Sequence, residues 1–358
     1  MKSTLFLASL MATPWAMRPD VLATYIQHLA RGYSGRFEPS LQAERPIQAR
    51  TITGGPRPSG TARARGGSIA ILPLYGVIMP RANMLEMCGG GTSVETFTAA
   101  FRSAMADETV SQILIDIDSP GGSVYGVGEL AAEIRAARAI KHVVGIANHV
   151  AASAAYWAGS ACSELYVTPG GQVGSIGVIV AHEDISQALA QAGVNVTLIT
   201  AGKFKAEGNA YAPLDVEARG NLQADVNSYG ADFQNAVARG RGVGVDQVRK
   251  GMGQGRMLRG SAARAASMVD GIATFDEIVK KMQGLQRPVA ASPGAVGLIS
   301  LERNRTQLAA VGRISLERNR TQLAGLAADR PRTPSSADAE AIARRHRHRA
   351  LLLELASA

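Results

Sequence analysis

Cysteines, aromatic residues and long apolar runs are all scarce in this chain of 358 residues. The two cysteines, Cys88 and Cys162, supply neither the spacing of a zinc site nor a disulfide framework. No apolar run reaches the roughly 20 residues that a membrane-spanning helix needs. With 46% hydrophobic and 19% charged residues, the composition is that of a globular protein. These absences argue against a metal-stabilised domain and a stable membrane insertion, and we expect no metal and no cofactor.

Positive charge is concentrated at the two ends of the chain. Residues 1–66 contain nine Lys and Arg against three Asp and Glu, and residues 286–358 contain twelve against six. The middle of the chain has a small acidic excess, so the formal net charge of +9 belongs to two basic arms. Arms of this kind suit contact with acidic partners, with a capsid or with nucleic acid.

Residues 1–67 are predicted to form an N-terminal arm and linker. Lys2 and the apolar run Leu5–Met11 have features of a signal peptide, but the run is short and no clean cleavage pattern follows it. We therefore expect an arm that is not cleaved off. An amphipathic helix is predicted over Val21–Ala30, and residues 34–67, rich in Gly, Pro, Ser, Thr and Arg, are predicted to be a flexible linker.

Predicted strands alternate with predicted helices over residues 68–285. Short apolar runs predict strands at Ile69–Leu74, Gln112–Ile117, Val143–Ala147, Leu165–Val167, Ile176–Val180 and Val196–Ile199. Thr92 and Glu95 form a capping box that predicts the start of a helix. The pattern becomes helical after Pro213. This alternation indicates an α/β fold with a largely parallel sheet and a helical C-terminal part.

Residues 286–358 are predicted to be a basic tail that contains a repeat. The segment Ile299–Ala309 recurs as Ile314–Ala324, and two copies are too few for a solenoid. The chain ends with the basic run Arg344–Arg349 and a leucine cluster. This ending suits either contact with a partner or nucleic acid, or a frayed amphipathic helix, and the sequence leaves both open.

Ser153 is the first candidate for chemistry. It follows the predicted strand Val143–Ala147 and begins a segment of small, helix-favouring residues. Backbone N–H groups at a helix start are free to stabilise an oxyanion formed when a serine attacks a carbonyl. The alternative is that Ser153 is an ordinary N-cap.

Two further stretches strengthen the catalytic interpretation. Ser119-Pro120-Gly121-Gly122 follows a predicted strand, where a glycine pair lets backbone N–H groups approach a ligand, or simply forms a tight turn. Lys203 and Lys205 follow the strand predicted before them, and a buried, neutral lysine can act as the general base for a serine. The alternative is a pair of exposed loop lysines.

Histidines offer a second candidate base. His149 precedes Ser153 by four residues, and His182 stands beside an acidic pair, Glu183 and Asp184. A Ser-His-Asp triad needs one histidine within reach of the serine. His182 is the better candidate of the two, although it also suits a plain helix start, and Lys205 is preferred to both.

Taken together, these stretches resemble the Ser–Lys peptidases of the signal peptide peptidase A type, which share the Clp-protease/crotonase fold of repeated strand–strand–helix units. The matching stretches are Ile69–Pro80, Asp118–Val124, Val150–Trp157, Gly174–Val178, Gly202–Ala206 and Gly260–Gly271. The resemblance implies that Ser153 is the nucleophile and Lys205 the general base. It also implies an oxyanion hole formed by Gly121 or Gly122 with the N–H of Ala154, and a homo-oligomer. Lys203 falls where the family is not fixed to lysine, and Ala154 stands where bacterial enzymes often have glycine.

Within that family the chain looks most similar to the phage prohead (capsid-maturation) proteases, through Gly202–Asn209 and Pro14–Met17. This branch implies cleavage of scaffold and capsid-interior proteins inside a procapsid in the host cytoplasm, and in some members of the protease itself. Two other functions stay open. One is a bacterial signal peptide peptidase working at a membrane, and the other is a capsid assembly or scaffold protein without catalysis.

Overall fold

The computed structural model describes residues 14–31, 50–52, 67–82 and 91–284. The predicted tail and most of the predicted linker lie outside these residues, as do residues 1–13. The strands are β1 Trp15–Met17, β2 Arg50–Ile52, β3 Ser68–Tyr75, β4 Val77–Met79, β5 Gly91–Ser93, β6 Val110–Ser119, β7 Gly121–Ser123, β8 His142–Ala152, β9 Glu164–Val167, β10 Gln172–Gly174, β11 Met257–Arg259 and β12 Gly271–Ile272. The helices are α1 Pro19–Arg31, α2 Val94–Ala106, α3 Val127–Ala137, α4 Ala154–Ser160, α5 Ser186–Gln191, α6 Val216–Arg241, α7 Val245–Gly251, α8 Gly260–Ala265 and α9 Phe275–Gly284.

A main sheet of largely parallel strands forms the centre of the fold. Its order is β11-β10-β8-β6-β3-β2, with β9 also paired to β8 and β12 paired to β9. The central pairs β3–β6, β6–β8 and β8–β10 are parallel, whereas the edge strands β2 and β11 are antiparallel to their neighbours. Apolar side chains are buried on both faces, as expected for a parallel sheet covered by helices. The predicted α/β class is therefore confirmed.

A second, smaller sheet has the order β1-β7-β4-β5. After one intervening residue, Gly76 or Pro120, the long strands β3 and β6 each continue into a short strand of this sheet, β4 or β7. Helices α2 and α3 then return the chain to the main sheet. These repeated strand–strand–helix units match the fold that the resemblance implied, and they bring β7 close to the carboxyl end of β8.

Small residues allow α4 to lie in the core. Every residue of this helix is buried, and its large side chains are fixed on both sides. The Trp157 ring stacks on Phe233 of α6 with centroids 4.6 Å apart, and the Tyr156 hydroxyl donates to the Met268 carbonyl at 2.9 Å. At Gly240 of α6 a methyl group would stand 2.3 Å from the Ser160 carbonyl oxygen, so only glycine permits this approach. Both ends of the Ser153 helix are therefore held by packing.

The predicted helix cap at Thr92 was wrong by one residue. Ser93 is the N-cap of α2 and its hydroxyl accepts from the Thr96 N–H. Thr92 is unavailable because its hydroxyl donates to the Tyr75 carbonyl at 2.7 Å and accepts from the Tyr75 N–H at 3.0 Å. The Thr92 hydroxyl, which the sequence pattern predicted to cap the helix, thus bonds the backbone of β3 instead.

Two predicted strands are also wrong. The observed strand β10 precedes the strand predicted at Ile176–Val180 and ends at Gly174. It does not continue because Ser175 has a φ of 54°, which interrupts an extended chain. The segment Val196–Ile199 forms no strand, and its apolar side chains are exposed. This segment cannot add to the sheet beside β10, because β11 already pairs with that edge. Only the Gly-Gly pair and Ser153 therefore follow strands of the main sheet, and Lys205 does not.

Parts of the predicted N-terminal arm belong to the sheets. β1 pairs with β7, and β2 pairs with β3. Helix α1, Pro19–Arg31, confirms the helix predicted over Val21–Ala30. None of the helices in the described ranges combines the length and the apolar content needed to cross a bilayer.

Candidate active site

Ser153 occupies a sharp turn between β8 and α4. Its backbone has φ 53° and ψ −115°, a sparsely populated region for a residue with a side chain. Such a conformation costs about 1–3 kcal/mol and persists only where the surrounding structure imposes it. The same order of strand, strained serine and helix occurs in the nucleophile elbow of hydrolases, in which the turn presents the serine oxygen.

The Ser153 side chain does not cap the helix. Its hydroxyl accepts no hydrogen bond from the first turn of α4 and instead donates towards the Gly177 carbonyl at 3.4 Å. The Ser153 N–H donates to the Gly174 carbonyl at 2.7 Å, which fixes the backbone of the turn. The N-cap interpretation is therefore wrong, and the hydroxyl is left for another role.

Gly121 lies directly beside Ser153, and Gly122 is its neighbour along β7. Gly121 has a φ of 97°, and a methyl group on it would stand 3.0 Å from the Ser153 Cβ. A methyl group on Gly122 would stand 1.9 Å from the Ile78 carbonyl oxygen. The two glycines are therefore required by close packing, and the structure brings them to the serine as the sequence predicted.

The predicted oxyanion-hole donors differ in what they contact. The Gly121 N–H donates to the Ser119 hydroxyl at 3.2 Å, whereas Gly122 is paired with Ala16 of β1. Ala154 is the first residue of α4, so its N–H has no partner inside the helix. Gly122 and Ala154 are the pair better suited to hold a developing negative charge, because the Gly121 N–H is turned to the Ser119 hydroxyl, whereas the Gly122 N–H faces a backbone carbonyl, that of Ala16, across the sheet.

Lys205 is not brought to Ser153 in this structure. Ser153 is fully buried and Lys205 is exposed, and no hydrogen bond joins them in the described part of the chain. Lys203 is also exposed, where its ammonium group lies 3.2 Å from a Glu217 carboxylate oxygen and 4.4 Å from the centre of the Phe204 ring. The lysine-bearing segment also exposes large apolar side chains: Val194, Val196, Leu198, Ile199, Phe204 and Tyr211.

Neither candidate histidine contacts Ser153. His149 Nδ1 lies 3.1 Å from Asp118 Oδ2 in a largely exposed pair. His182 Nε2 lies 3.1 Å from the Asn209 carbonyl oxygen and lines a cavity of about 370 Å³ together with residues 178–180 and part of α6. The hydrogen bonds of the described residues therefore contain no Ser-His-Asp relay.

The site has two components that sequence reasoning did not place. One is the Gly177 carbonyl, which orients the Ser153 hydroxyl. The other is β1, which lies along β7 with Ala16 opposite Gly122. In the sequence, Pro14–Met17 stands out only as a point of family resemblance. The signal that could have predicted a buried strand is the uninterrupted apolar run Trp15–Met17. Among the described residues, no cluster of three or more His, Cys, Asp or Glu side chains is arranged to hold a metal ion.

Comparison with known proteins finds similarity to peptidases. Residues 135–288 match the model of peptidase family S49. The chain is 38% identical over 197 residues to the head-tail preconnector protein of Enterobacteria phage P21, covering 55% of this chain and 39% of that protein. It is 34% identical over 212 residues to capsid assembly protease C of Escherichia phage lambda, covering 58% of this chain and 48% of that protein. Protease 4 of Salmonella typhi is 29% identical over 223 residues, with 62% of this chain and 35% of that protein covered. The chain thus spans about half or less of the length of these relatives.

Proposed function

We propose that this chain, whose residues 135–288 match the model of peptidase family S49, is a serine endopeptidase with Ser153 as its nucleophile. The Ser153 oxygen attacks a peptide carbonyl, and the N–H groups of Gly122 and Ala154 stabilise the oxyanion. A general base takes the serine proton and delivers it to the leaving amine, and water then hydrolyses the acyl-enzyme.

The observation that carries this proposal is the uncapped, strained serine next to the glycine pair. An ordinary helix start has no reason to hold its serine at φ 53° or to direct the hydroxyl away from the helix. The turn also places the serine within van der Waals distance of the chain at Gly121. Strained residues of this kind cluster at active sites and ligand-binding sites.

Lys205 is proposed as the general base, acting after its segment moves. A lysine serves as a base only when it is neutral, and burial favours the neutral form. In the described structure Lys205 is exposed, so the segment must close over Ser153 when substrate binds or when copies of the chain associate. The exposed apolar side chains of that segment support such a closure, because covering them with substrate or a second copy removes apolar surface from water.

The proposed substrates are scaffold and capsid-interior proteins of a phage. Two of the relatives are described as a head-tail preconnector protein and a capsid assembly protease. We place the enzyme in the procapsid within the host cytoplasm as a homo-oligomer, with its basic arms contacting capsid proteins or nucleic acid. The arms are also candidate sites of self-cleavage.

Three single variants test the chemistry: Ser153→Ala, Lys205→Ala and, as the matched control, Lys203→Ala. Labelling by a fluorophosphonate probe and hydrolysis of an unfolded protein are measured for each. We expect Ser153→Ala to abolish both signals, Lys205→Ala to lower them at least about a hundredfold, and Lys203→Ala to resemble the wild type. An active Lys205→Ala protein together with an inactive His182→Ala protein would show that the base is the histidine.

A second candidate is a signal peptide peptidase acting at a membrane, because one relative, from Enterococcus faecium, is described as a putative signal peptide peptidase. Fractionation of expressed protein separates the two functions, because the capsid role predicts protein in the soluble fraction and the second role predicts protein with the membranes. Mass spectrometry of the wild type beside Ser153→Ala, after long incubation, tests the scaffold alternative. Intact wild-type chains without probe labelling would support a non-catalytic assembly protein.

A further inference from the structure

The strand β1 lies in a groove beside Ser153. One wall of the groove is β7, to which β1 is antiparallel with Ala16 opposite Gly122. The flanking hydrogen bonds run from Arg18 N–H to the Pro120 carbonyl at 3.0 Å and from Val124 N–H to the Pro14 carbonyl at 3.3 Å. This spacing makes Ala16 and Gly122 a hydrogen-bonded pair, because such pairs alternate along antiparallel strands.

The second wall of the groove is the segment that contains Ile179. The Trp15 N–H donates to the Ile179 carbonyl at 2.7 Å, and the Ile179 N–H donates to the Trp15 carbonyl at 2.9 Å. Successive residues of β1 therefore bond alternately to the two walls. We call the groove between β7 and Ile179 the peptide cleft. Bonding along both edges is how an extended peptide is held when it adds to a sheet.

The Ala16 carbonyl lies next to the nucleophile. A methyl group on Gly121 would stand 2.3 Å from the Ala16 carbonyl oxygen and 3.0 Å from the Ser153 Cβ. The Ala16 carbonyl oxygen and the Ser153 Cβ therefore approach the same point, the position of that methyl group. The register also directs the Gly122 N–H, a proposed oxyanion donor, at the same carbonyl.

The three residues of β1 are buried in the cleft. Trp15, Ala16 and Met17 are 1%, 0% and 3% exposed. An incoming peptide that presents its carbonyl to Ser153 and Gly122 needs the same hydrogen bonds and the same space. It cannot bind while β1 is in place.

We propose that β1 is a built-in competitor that occupies the substrate-binding cleft, and that substrates bind there as an antiparallel strand after β1 has left. The identity of the cleft rests on the proposed peptidase function. The occupant also defines the peptide that the cleft accepts, with a small residue at the Ala16 position beside the nucleophile and a large apolar residue immediately before it. The docked state is stabilised by burial of the Trp15 indole, and the covalent link to the rest of the chain gives β1 a high effective concentration.

The test uses full-length protein carrying Ser153→Ala, so that binding is measured without cleavage. Ala16→Pro removes the N–H that bonds β7 and weakens the docking of β1, whereas the matched control Ala16→Ser keeps it. Trp15→Ala weakens docking by a different route, through lost burial. Binding of a fluorescent peptide that copies residues 14–18 is followed by anisotropy, and thermal unfolding checks the fold.

We expect Ala16→Pro and Trp15→Ala to bind the peptide about tenfold more tightly than the parent, because affinity is reduced by the fraction of closed clefts. Ala16→Ser should bind like the parent. Unchanged affinity in folded Ala16→Pro and Trp15→Ala proteins, or loss of the fold in both, would show that β1 is a permanent part of the sheet. The same β1 variants are also made in protein that keeps Ser153. If they bind the peptide more tightly but are not labelled by the fluorophosphonate probe, β1 does occupy a peptide-binding cleft, but the proposed peptidase function is wrong.

Discussion

The Ser153 hydroxyl is oriented by the Gly177 carbonyl, 3.4 Å away, on the segment that follows β10. Two residues later the same segment pairs with Trp15 through Ile179. The nucleophile and one wall of the peptide cleft are thus set by one short stretch of chain. A change in that stretch is expected to affect both the orientation of the serine and the seating of a peptide.

The strain at Ser153 predicts an unusual order of stabilities. Ser153→Gly should have a free energy of unfolding about 1 kcal/mol higher than Ser153→Ala, because glycine adopts φ 53° without penalty and this gain exceeds its entropy cost in the unfolded chain. Urea denaturation of the two inactive variants measures the difference. Equal stabilities would mean that the turn relaxes when the serine is replaced.

The close contact of Gly122 with Ile78 predicts a loss of stability when Gly122 is replaced. Gly122→Ala places a methyl group 1.9 Å from the Ile78 backbone oxygen, so β4 and β7 must move apart at a cost of at least about 2 kcal/mol. Gly170→Ala is the matched control, since a methyl group there meets nothing within 4 Å. Chemical denaturation of both proteins provides the comparison, and similar stabilities would contradict the close contact.

The ion pair of Arg241 and Asp270 predicts a dependence of stability on pH. Burial raises the pKa of Asp270, but hydrogen bonds from the Arg241 guanidinium and the Leu165 N–H outweigh it and hold the pKa below its ordinary value. A carboxyl whose pKa is lower in the folded than in the unfolded state stabilises the fold above the unfolded pKa of about 3.9, and this contribution is lost as the pH falls through the folded value.

Asp270→Asn should therefore destabilise the protein at pH 7 by about 2 kcal/mol, because it leaves the buried Arg241 without its charged partner while Asp270 itself is partly exposed. The difference from the wild type should shrink as the pH falls below about 4. Urea denaturation at several pH values measures it, with Asp232→Asn at an exposed position as the control. A difference that stays constant down to pH 3 would exclude the ion pair as its source.

The hydrogen bonds of the two histidines predict that neither one serves as the base. His149→Ala and His182→Ala should each label with a fluorophosphonate probe within about threefold of the wild type, because a ring nitrogen of each histidine is engaged elsewhere, with Asp118 or with the Asn209 carbonyl. Loss of a general base would instead cost at least about a hundredfold. The rate of labelling near neutral pH is the measurement. A hundredfold loss in either variant would overturn the preference for Lys205.

Local signals of the sequence predicted much of the core. The apolar runs that became β3, β6 and β8, and the small residues that became α4, each carry their structure within a few neighbouring positions. The glycine pair after β6 and the serine after β8 were predicted together because the carboxyl ends of parallel strands meet at one edge of a sheet. In contrast, Val196–Ile199 has an apolar pattern but no open sheet edge to join, and a pattern in sequence does not contain that information.

The sequence alone determined which residues are candidates: a serine before small residues, a glycine pair after a strand and a lysine on a later segment. Only the tertiary structure decided that the serine is strained and uncapped, that β1 returns to lie beside it and that the lysine stands apart. The physical reason is that backbone strain, strand pairing and burial depend on atoms far away along the chain. Ala16 and Gly122 are hydrogen-bonded neighbours across about a hundred intervening residues, and no local pattern in either segment specifies the other.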